Sequence, residues 1–489
     1  ASILGNLLKV DPAYRASRDA LGDPSQQSPP LRDFRTAPLD LAKTAADSLI
    51  DMDFTDSTEE LSNILSQSNS RGQDVALTDL NGDGRLDLAL ATRNGVVMLH
   101  NLEDGWQDVT ENAGLSKIDQ PVRLIFSDID NDGDQDLYVI GNRQNGLYRN
   151  AGDGSFSLNQ SPALMRGQSP AGALFADYDH DGDLDILSSD LQSLQFYRTI
   201  EEGRFEETTE ATGFNPGRET GPVGWSRHPL AYGDFDLDGA LDIVALSEEG
   251  KHRLYRNIRQ GKWVDWTDRM KIPEVAGVQV VLTGDFNNDG ALDLFWAGQH
   301  SGALKILWNE QGRFFADNTP LTVMNIGADL NTSAAITFDF DNDGFLDIAI
   351  AGQSESDRPG IRLIRNLGNG RFEETTHLLP VLHSDIDDIE AGDLDQDGDL
   401  DLIALSSDGL HLLRNDGGHT NRWFDIQLAA AIMGSSKNNF YGIGSTIEIN
   451  TQTHYQSLLV TTPVTHIGLG KHDNADVVRV IWSNGTPQN

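Results

Sequence analysis

The chain has 489 residues and a formal net charge of −40, a balance that repels nucleic acid and anionic membranes. It has no cysteine, which excludes a disulfide framework, a thiolate zinc site and a cysteine nucleophile, and no apolar run is long enough to span a bilayer. Its composition is globular, but its length exceeds one ordinary domain unless a repeat builds it.

Residues 1–50 differ from the rest. Asp11-Pro12 followed by Ala13 to Leu21 and Gly22 predicts a capped helix, with an acidic cap, proline in the first turn and glycine at the stop. The stretch Leu7 to Tyr14 resembles the "DP" junction between tetratricopeptide repeats, and a plain helical hairpin fits the same residues. Gly22 to about Ala37, with Pro24, Pro29, Pro30 and then Pro38, reads as linker. The start at Ala1 rather than Met reads as a processed or trimmed precursor.

From about residue 51 to 415 one nonapeptide, D-x-[DN]-x-D-G-x-x-D, recurs seven times. Its acidic and amide places are Asp79, Asn81, Asp83 and Asp87; Asp128, Asp130, Asp132 and Asp136; Asp177, Asp179, Asp181 and Asp185; Asp234, Asp236, Asp238 and Asp242; Asp285, Asn287, Asp289 and Asp293; Asp339, Asp341, Asp343 and Asp347; Asp393, Asp395, Asp397 and Asp401. Oxygen ligands at places one, three, five and nine, with glycine at the sharp turn of place six, are the chemistry of a Ca²⁺ loop. Carboxylates this crowded repel one another unless a cation sits among them. Copies start 49 to 57 residues apart, so we expect about seven calcium sites, and even these leave the chain strongly acidic. Their even spread favours a structural staple over a calcium sensor, which has few sites tied to a bistable element. Loops of this kind in extracellular modules bind with Kd roughly 10⁻⁴–10⁻³ M, so they fill outside a cell, at its surface or in a periplasm.

Each repeat predicts four short strands bounded by Gly and Asn. In the second these are Val122–Asp128, Leu137–Ile140, Gly146–Asn150 and, after Gly154, Ser155–Leu158. Third strands end at Asn101, Asn150, Asn257, Asn309, Asn366 and Asn415, with Thr199 in the third repeat. Four-stranded units of about 50 residues, seven in number, predict a β-propeller, because one such sheet cannot bury its faces alone. After the seventh loop only three strands follow, and Met52 to Thr58 copies the fourth-strand pattern Arg204 to Thr208. This N-terminal segment is expected to complete the last blade.

With F-x-D-x-[DN]-x-D-G-x-x-D-[LI], the repeats resemble the FG-GAP/VCBS repeats of integrin α-subunits and many bacterial secreted proteins. The resemblance implies calcium between the first two strands of each blade. It adds the carbonyls of Arg85, Asp134, Asp183, Ala240, Ala291, Phe345 and Asp399 at place seven to the ligand set.

Residues 416–489 lose the repeat. Trp423–Leu428, Thr446–Ile449, Ser457–Thr461 and Val477–Trp482 read as strands. Gly442 to Ser445, His466 to Gly470 and Val480 to Gly485 resemble the ASPIC/UnbV domain that follows such propellers in the cartilage-acidic-protein-like family. Ser445 stands where that domain usually has Ala. The expected class is therefore all-β: a seven-bladed propeller (51–415), a small C-terminal β-rich domain (416–489) and a short helical N-terminal segment (1–50).

A ligand face is expected opposite the calcium loops, where a rigid scaffold presents its connections. The longest insertion ends in Trp225, Arg227 and His228, an indole, a cation and an imidazole suited to a pocket at the ring's mouth; alternatively Trp225 plugs the channel. Arg93, Arg143, His252, His300 and Arg358 belong to the same face. The acidic run Asp385 to Glu390 beside His383 reads as solvated surface, and His411 and His466 as packing residues. No hydrolase, Walker or zincin motif is present. The leading reading is a calcium-stabilised surface or extracellular scaffold binding a protein or glycan. An enzyme of lyase or hydratase type at the propeller mouth and a self-assembling structural subunit are the alternatives.

Overall fold

The computed structural model describes residues 52–61, 72–115, 118–142, 144–159, 161, 164, 170–190, 194–201, 203–214, 228–247, 249–259, 262–299, 303–317, 329–354, 358–382, 384–430, 438–452 and 454–489. The helix expected over Ala13–Leu21 and the linker after it lie outside these residues. What is described is an all-β propeller of seven four-stranded antiparallel sheets, followed by a β unit of two further sheets.

The first blade runs Gly72–Thr78, Asp87–Thr92, Gly95–Leu102 and Gly105–Asp108, and the next five follow the same order. In the second, the strands are Pro121–Ser127, Asp136–Gly141, Gly146–Asn150 and Phe156–Asn159, within a residue or two of the predicted bounds. The inner strands of successive blades adjoin one another, and the seventh, Ile386–Gly392, adjoins the first, so the sheets close into a ring. Second strands such as Asp87–Thr92 and Asp401–Ser406 are buried at every residue, because a neighbouring blade covers each face.

Seven apolar clusters each join two adjacent blades. Val75, Leu90 and Leu99 of the first meet Leu394, Ile403 and Leu412 of the seventh, and Trp296 and Leu307 of the fifth meet Val244 and Leu254 of the fourth. Burying such side chains is worth about 1.5–3 kcal/mol each, and no blade gains it alone.

The seventh sheet takes its fourth strand from the other end of the chain. Asp53–Asp56 pairs with Gly409–Asp416, Phe54 opposite Asn415, and Phe54 and Met52 enter the cluster between blades six and seven. The C-terminal unit pairs Arg422–Gln427 with Val464–Gly470, and orders a second sheet as Tyr455–Leu459, Thr446–Asn450, Val477–Ile481 and Pro487–Gln488. Its core of Ile447, Ile467, Val480 and Trp482 also takes in Leu184 of the third repeat's loop. This unit is therefore docked on the loop side of the ring.

One expectation is overturned here. The acidic run expected to be solvated surface lies in the inner strand Ile386–Gly392, and Asp388 is buried. Its Oδ2 accepts the Val75 N–H of the first blade at 3.1 Å. A bulge falls between Ile386 and Asp388 within this inner strand, and the run of acids hides its alternating burial. His383 lies outside the described residues.

Candidate functional site

The loops repeat one hydrogen-bond scheme. The place-one carboxylate accepts the backbone N–H groups of places five and six. In the sixth loop Asp343 and Gly344 donate to Asp339 at 3.0 and 2.8 Å. The place-five carboxylate accepts the place-seven N–H, as Phe345 donates to Asp343 at 3.0 Å. Place nine joins the loop to strand three: Asp347 accepts Phe340 N–H at 3.2 Å and Asn366 N–H at 2.7 Å.

Two places turn through left-handed backbone. Place six is glycine at φ between 84° and 96°, but place four is also left-handed at Gly82, Asn131, His180, Leu237, Asn288, Asn342 and Gln396. Asparagine tolerates that conformation best among residues with side chains. The sequence reading passed over place four, although Gly, Asn and His there carry the signal.

The acids converge. In loops two, three, four, six and seven, three carboxylates offer oxygens that lie within 4.8 Å of one another, such as Asp177, Asp179 and Asp181, or Asp339, Asp341 and Asp347. Loops one and five have Asn81 and Asn287 at place three, so fewer carboxylates gather there. Burial first, and then the neighbouring acids, push Asp128 up to about 8 and Asp234 to about 7, against the opposing pull of backbone N–H donors. Asp339 and Asp347 are also held well above the ordinary carboxylate range by burial and the acids beside them.

The place-three side chains are divided between two tasks. Asp341 Oδ2 receives Arg365, with Nη2 at 2.6 Å, while its Oδ1 is buried without a hydrogen-bond partner. The Oδ1 atoms of Asp130, Asp179 and Asp236 are orphaned in the same way. Orphaned buried carboxylate oxygens are costly, and four recur at one place of the motif beside other hard oxygen donors. That donor set fits Ca²⁺. The residues suited to hold it are the acids and amides at places one, three, five and nine.

Other residues noted only as a pattern now have a task. The Asn ending strand three reaches back to the previous blade: Asn150 Nδ2 donates to Leu80 O at 2.9 Å, Asn366 to Phe286 O at 2.8 Å and Asn101 to Leu394 O at 2.6 Å across the ring closure. Thr199 is too short, and donates instead to Leu184 O within its own loop. Place-four side chains reach forward, as Asn342 Nδ2 donates to Gly398 O at 2.9 Å and Gln396 Nε2 to Gly84 O at 3.0 Å.

The C-terminal unit binds this same face. Phe440 N–H donates to Asn131 Oδ1 at 2.7 Å, Asn421 Nδ2 to Asp341 O at 2.7 Å and Gly470 N–H to Asn342 O at 2.7 Å. His454 Nε2 lies 2.8 Å from Gly344 O. His466, expected merely to pack, bridges Asp425 Oδ1 at 2.8 Å and Asn342 Oδ1 at 2.6 Å while stacked on Trp423. His411 is half-buried against Ser406 Oγ at 3.0 Å.

Of the residues expected on the far side, Trp225, Arg227, Arg143 and His300 lie outside the described residues. His228 is described, and its carbonyl accepts Val281 N–H at 3.0 Å. It lines a channel cavity of about 200 Å³, with Asp74, Arg123, Asp388 and Glu390 among apolar neighbours such as Val75 and Leu124. Arg123 Nη1 meets Asp74 Oδ1 at 2.9 Å, and Asp74 Oδ2 accepts Leu124 N–H at 2.8 Å. Arg93 is exposed, while Arg358 pairs with Glu374 and Asp329. His252 departs from expectation: it is buried, bonded to Ser247 N–H and Val275 O and set edge-on to Trp296. Burial lowers it to about 4, so it packs a blade core and is not presented on a face.

Residues 79–139, 128–188, 234–296, 285–350 and 339–404 match the FG-GAP-like repeat. Over 283 residues the chain is 28% identical to human (Homo sapiens) cartilage acidic protein 1, covering 52% of this chain and 40% of that protein. The Xenopus tropicalis protein of that name is 26% identical, with 52% and 41% covered. The chain thus spans about 40% of the length of these curated relatives. Among solved structures, one described as specific recognition of non-reducing terminal N-acetylglucosamine by an Agrocybe aegerita lectin is 18% identical with a TM-score of 0.45, covering 68% of this chain and 88% of that one. YCF48 bound to D1 peptide is 11% identical with a TM-score of 0.44, covering 76% and 97%. No described helix is long and apolar enough to cross a membrane.

Proposed function

Because the chain belongs to the FG-GAP-like repeat family, we propose that it is a calcium-stabilised binding scaffold working outside the cell. It offers the channel end away from the loops to a protein or glycan. The observation that carries the calcium reading is the set of buried place-three oxygens without partners, at Asp130, Asp179, Asp236 and Asp341. Bound cations would supply the positive charge these loops need, and about seven ions would staple the hairpins from which the ring is built. The names of the cartilage acidic protein relatives support an extracellular address.

The loop side is covered by the C-terminal unit, which favours the opposite mouth as the ligand face. His228 lines the cavity there, and Trp225 and Arg227 stand three and one residues before it in the sequence. A neutral polar, basic or cation-bridged ligand suits a chain of net charge −40. An enzyme would also require titratable groups to converge on one substrate atom. Several do meet in the channel, but Asp74 and Asp388 are committed to backbone N–H groups of the next blade. Those bonds hold the ring together, so binding is the better reading.

Two measurements test it. Dialysis against a calcium chelator should lower the melting temperature sharply, and added Ca²⁺ should restore it; an unchanged melt removes calcium from the account. Glycan and matrix-protein arrays probed with the calcium-loaded protein should give hits that the triple variant Trp225→Ala, Arg227→Ala, His228→Ala loses at an unchanged melting temperature. Hits retained by that variant overturn the proposed face.

A further inference from the structure

The residue just before the end of strand three is Arg149, Arg198, Arg256, Arg365 or Arg414 in five blades, His100 in the first and Trp308 in the fifth. The five arginines accompany the five loops with Asp at place three. The histidine and the tryptophan accompany the two loops with Asn there, at Asn81 and Asn287. The pairing holds in all seven repeats.

The contacts explain it. Arg198 Nε lies 2.5 Å from Asp179 Oδ2 and its Nη2 lies 2.8 Å from Asp181 Oδ2. Arg256 spans Asp236 Oδ2 and Asp238 Oδ2 in the same way. Arg365 spans Asp341 and Asp343, its side chain 3% exposed and that of Asp341 0%. Arg149 Nη1 reaches Asp130 Oδ2 at 3.2 Å, and Arg414 reaches Asp395 Oδ2 at 3.7 Å with Asp401 at 2.7 Å. In each case Oδ2 of place three is the atom engaged, and in four of the five loops its Oδ1 is the orphan. In the first loop Asn81 Nδ2 faces His100 Nδ1 at 3.5 Å, a neutral pairing at the same point.

Resting on the calcium reading above, we propose that the place-three residue and the residue before the strand-three terminus form one charge-matched positioning unit. The guanidinium holds one carboxylate oxygen so that the other faces the cation. Four aspartates with one arginine, and three aspartates with an asparagine and a side chain counted as neutral, both give −3 over these places and the strand residue. Over these places every site therefore carries the same formal charge, although its ligands differ. A surface ion pair would need neither the burial of Arg365 nor the switch to Asn wherever the arginine is missing.

The third loop allows the test, since the Arg198 side chain is 44% exposed and tolerates replacement. Calcium bound per chain is counted by calorimetric titration and by metal analysis after gel filtration. Asp179→Asn alone leaves an arginine facing the ion without its carboxylate, and should weaken that site roughly tenfold to a hundredfold, the equivalent of one contact to a charged group. One bound ion is then missing from the parent's count. The double variant Asp179→Asn with Arg198→His copies the first loop and should regain it. The reciprocal exchange, Asn81→Asp with His100→Arg, should keep the full count and serves if the first pair fails to fold. A double variant still one ion short, or Asp179→Asn with no loss, overturns the pairing. A parent that binds no calcium overturns instead the reading on which it rests.

Discussion

At the scale of single residues, the loops set burial against charge. Desolvation pushes Asp87 and Asp401 up to about 7 and Asp128 to about 8. Backbone N–H groups pull them back, but not to the ordinary 3.8. In calcium-stripped protein the folded chain therefore binds more protons than the unfolded one between about pH 4 and pH 8. Stability from these groups is full below the unfolded value and is lost as pH rises through 7 to 8. The melting temperature of stripped protein should thus rise when the pH is lowered from 8 to 6. In excess Ca²⁺ the sign should reverse, because protons then compete with the ion for the same oxygens. Calorimetric scans in both conditions check this, and a stripped protein that melts higher at pH 8 contradicts it. The acids were legible in the sequence because their spacing is fixed by the loop. Place four and the strand-three arginines were visible as residues, but their task depends on which oxygen each one meets.

At the scale of elements, the blade is the unit and its edges are the liability. An unpaired outer strand is a template for association, and the seventh blade avoids this by borrowing Asp53–Asp56. Thr55 Oγ1 donates to Asp416 Oδ2 at 2.8 Å and Ser57 N–H to Leu412 O at 2.8 Å, so the strand is held along its length. Phe54 is 5% exposed and packs between blades six and seven. Phe54→Ala should cost about 3–5 kcal/mol, the usual range for a buried phenylalanine, and speed hydrogen exchange across Gly409–Asp416 before the other blades. A variant as stable as its parent would mean that this strand does not hold the ring shut. Strand bounds were readable to a residue or two because Gly, Asn and the loop fix them. The reason why strand three ends in Asn was not readable, since the carboxamides bond carbonyls 70 to 80 residues earlier in the chain, or across the ring closure.

At the scale of the molecule, the loop face also seats the C-terminal unit. Asn342 is fully buried, donates to Gly398 O of the next loop, and receives Gly470 N–H and His466 from the C-terminal unit. Gly398 leaves room for Trp423 that no side chain could, since a Cβ there would lie 1.9 Å from the indole. The docking bonds land on carbonyls and side chains of places three, four and six, and the loop must hold the left-handed turns of the last two. Removing calcium should therefore loosen the C-terminal unit, and proteolysis in the 416–421 connection should quicken in stripped protein relative to loaded protein. Equal rates would mean that docking is independent of the metal.

Local chemistry alone determined the repeat, its strands and its crowded acids, because each is written within about ten residues and obeys fixed periods and turn rules. The closing strand was also legible, since one segment at each end fits only the other. What the tertiary structure decided depends on groups far apart in the chain. It placed an acidic run in a channel wall, buried His252 in a blade core, split four place-three carboxylates between an arginine and an orphaned oxygen, and laid the C-terminal unit over the loops. Burial and hydrogen-bond geometry are properties of the closed ring, and no local pattern of residues encodes them.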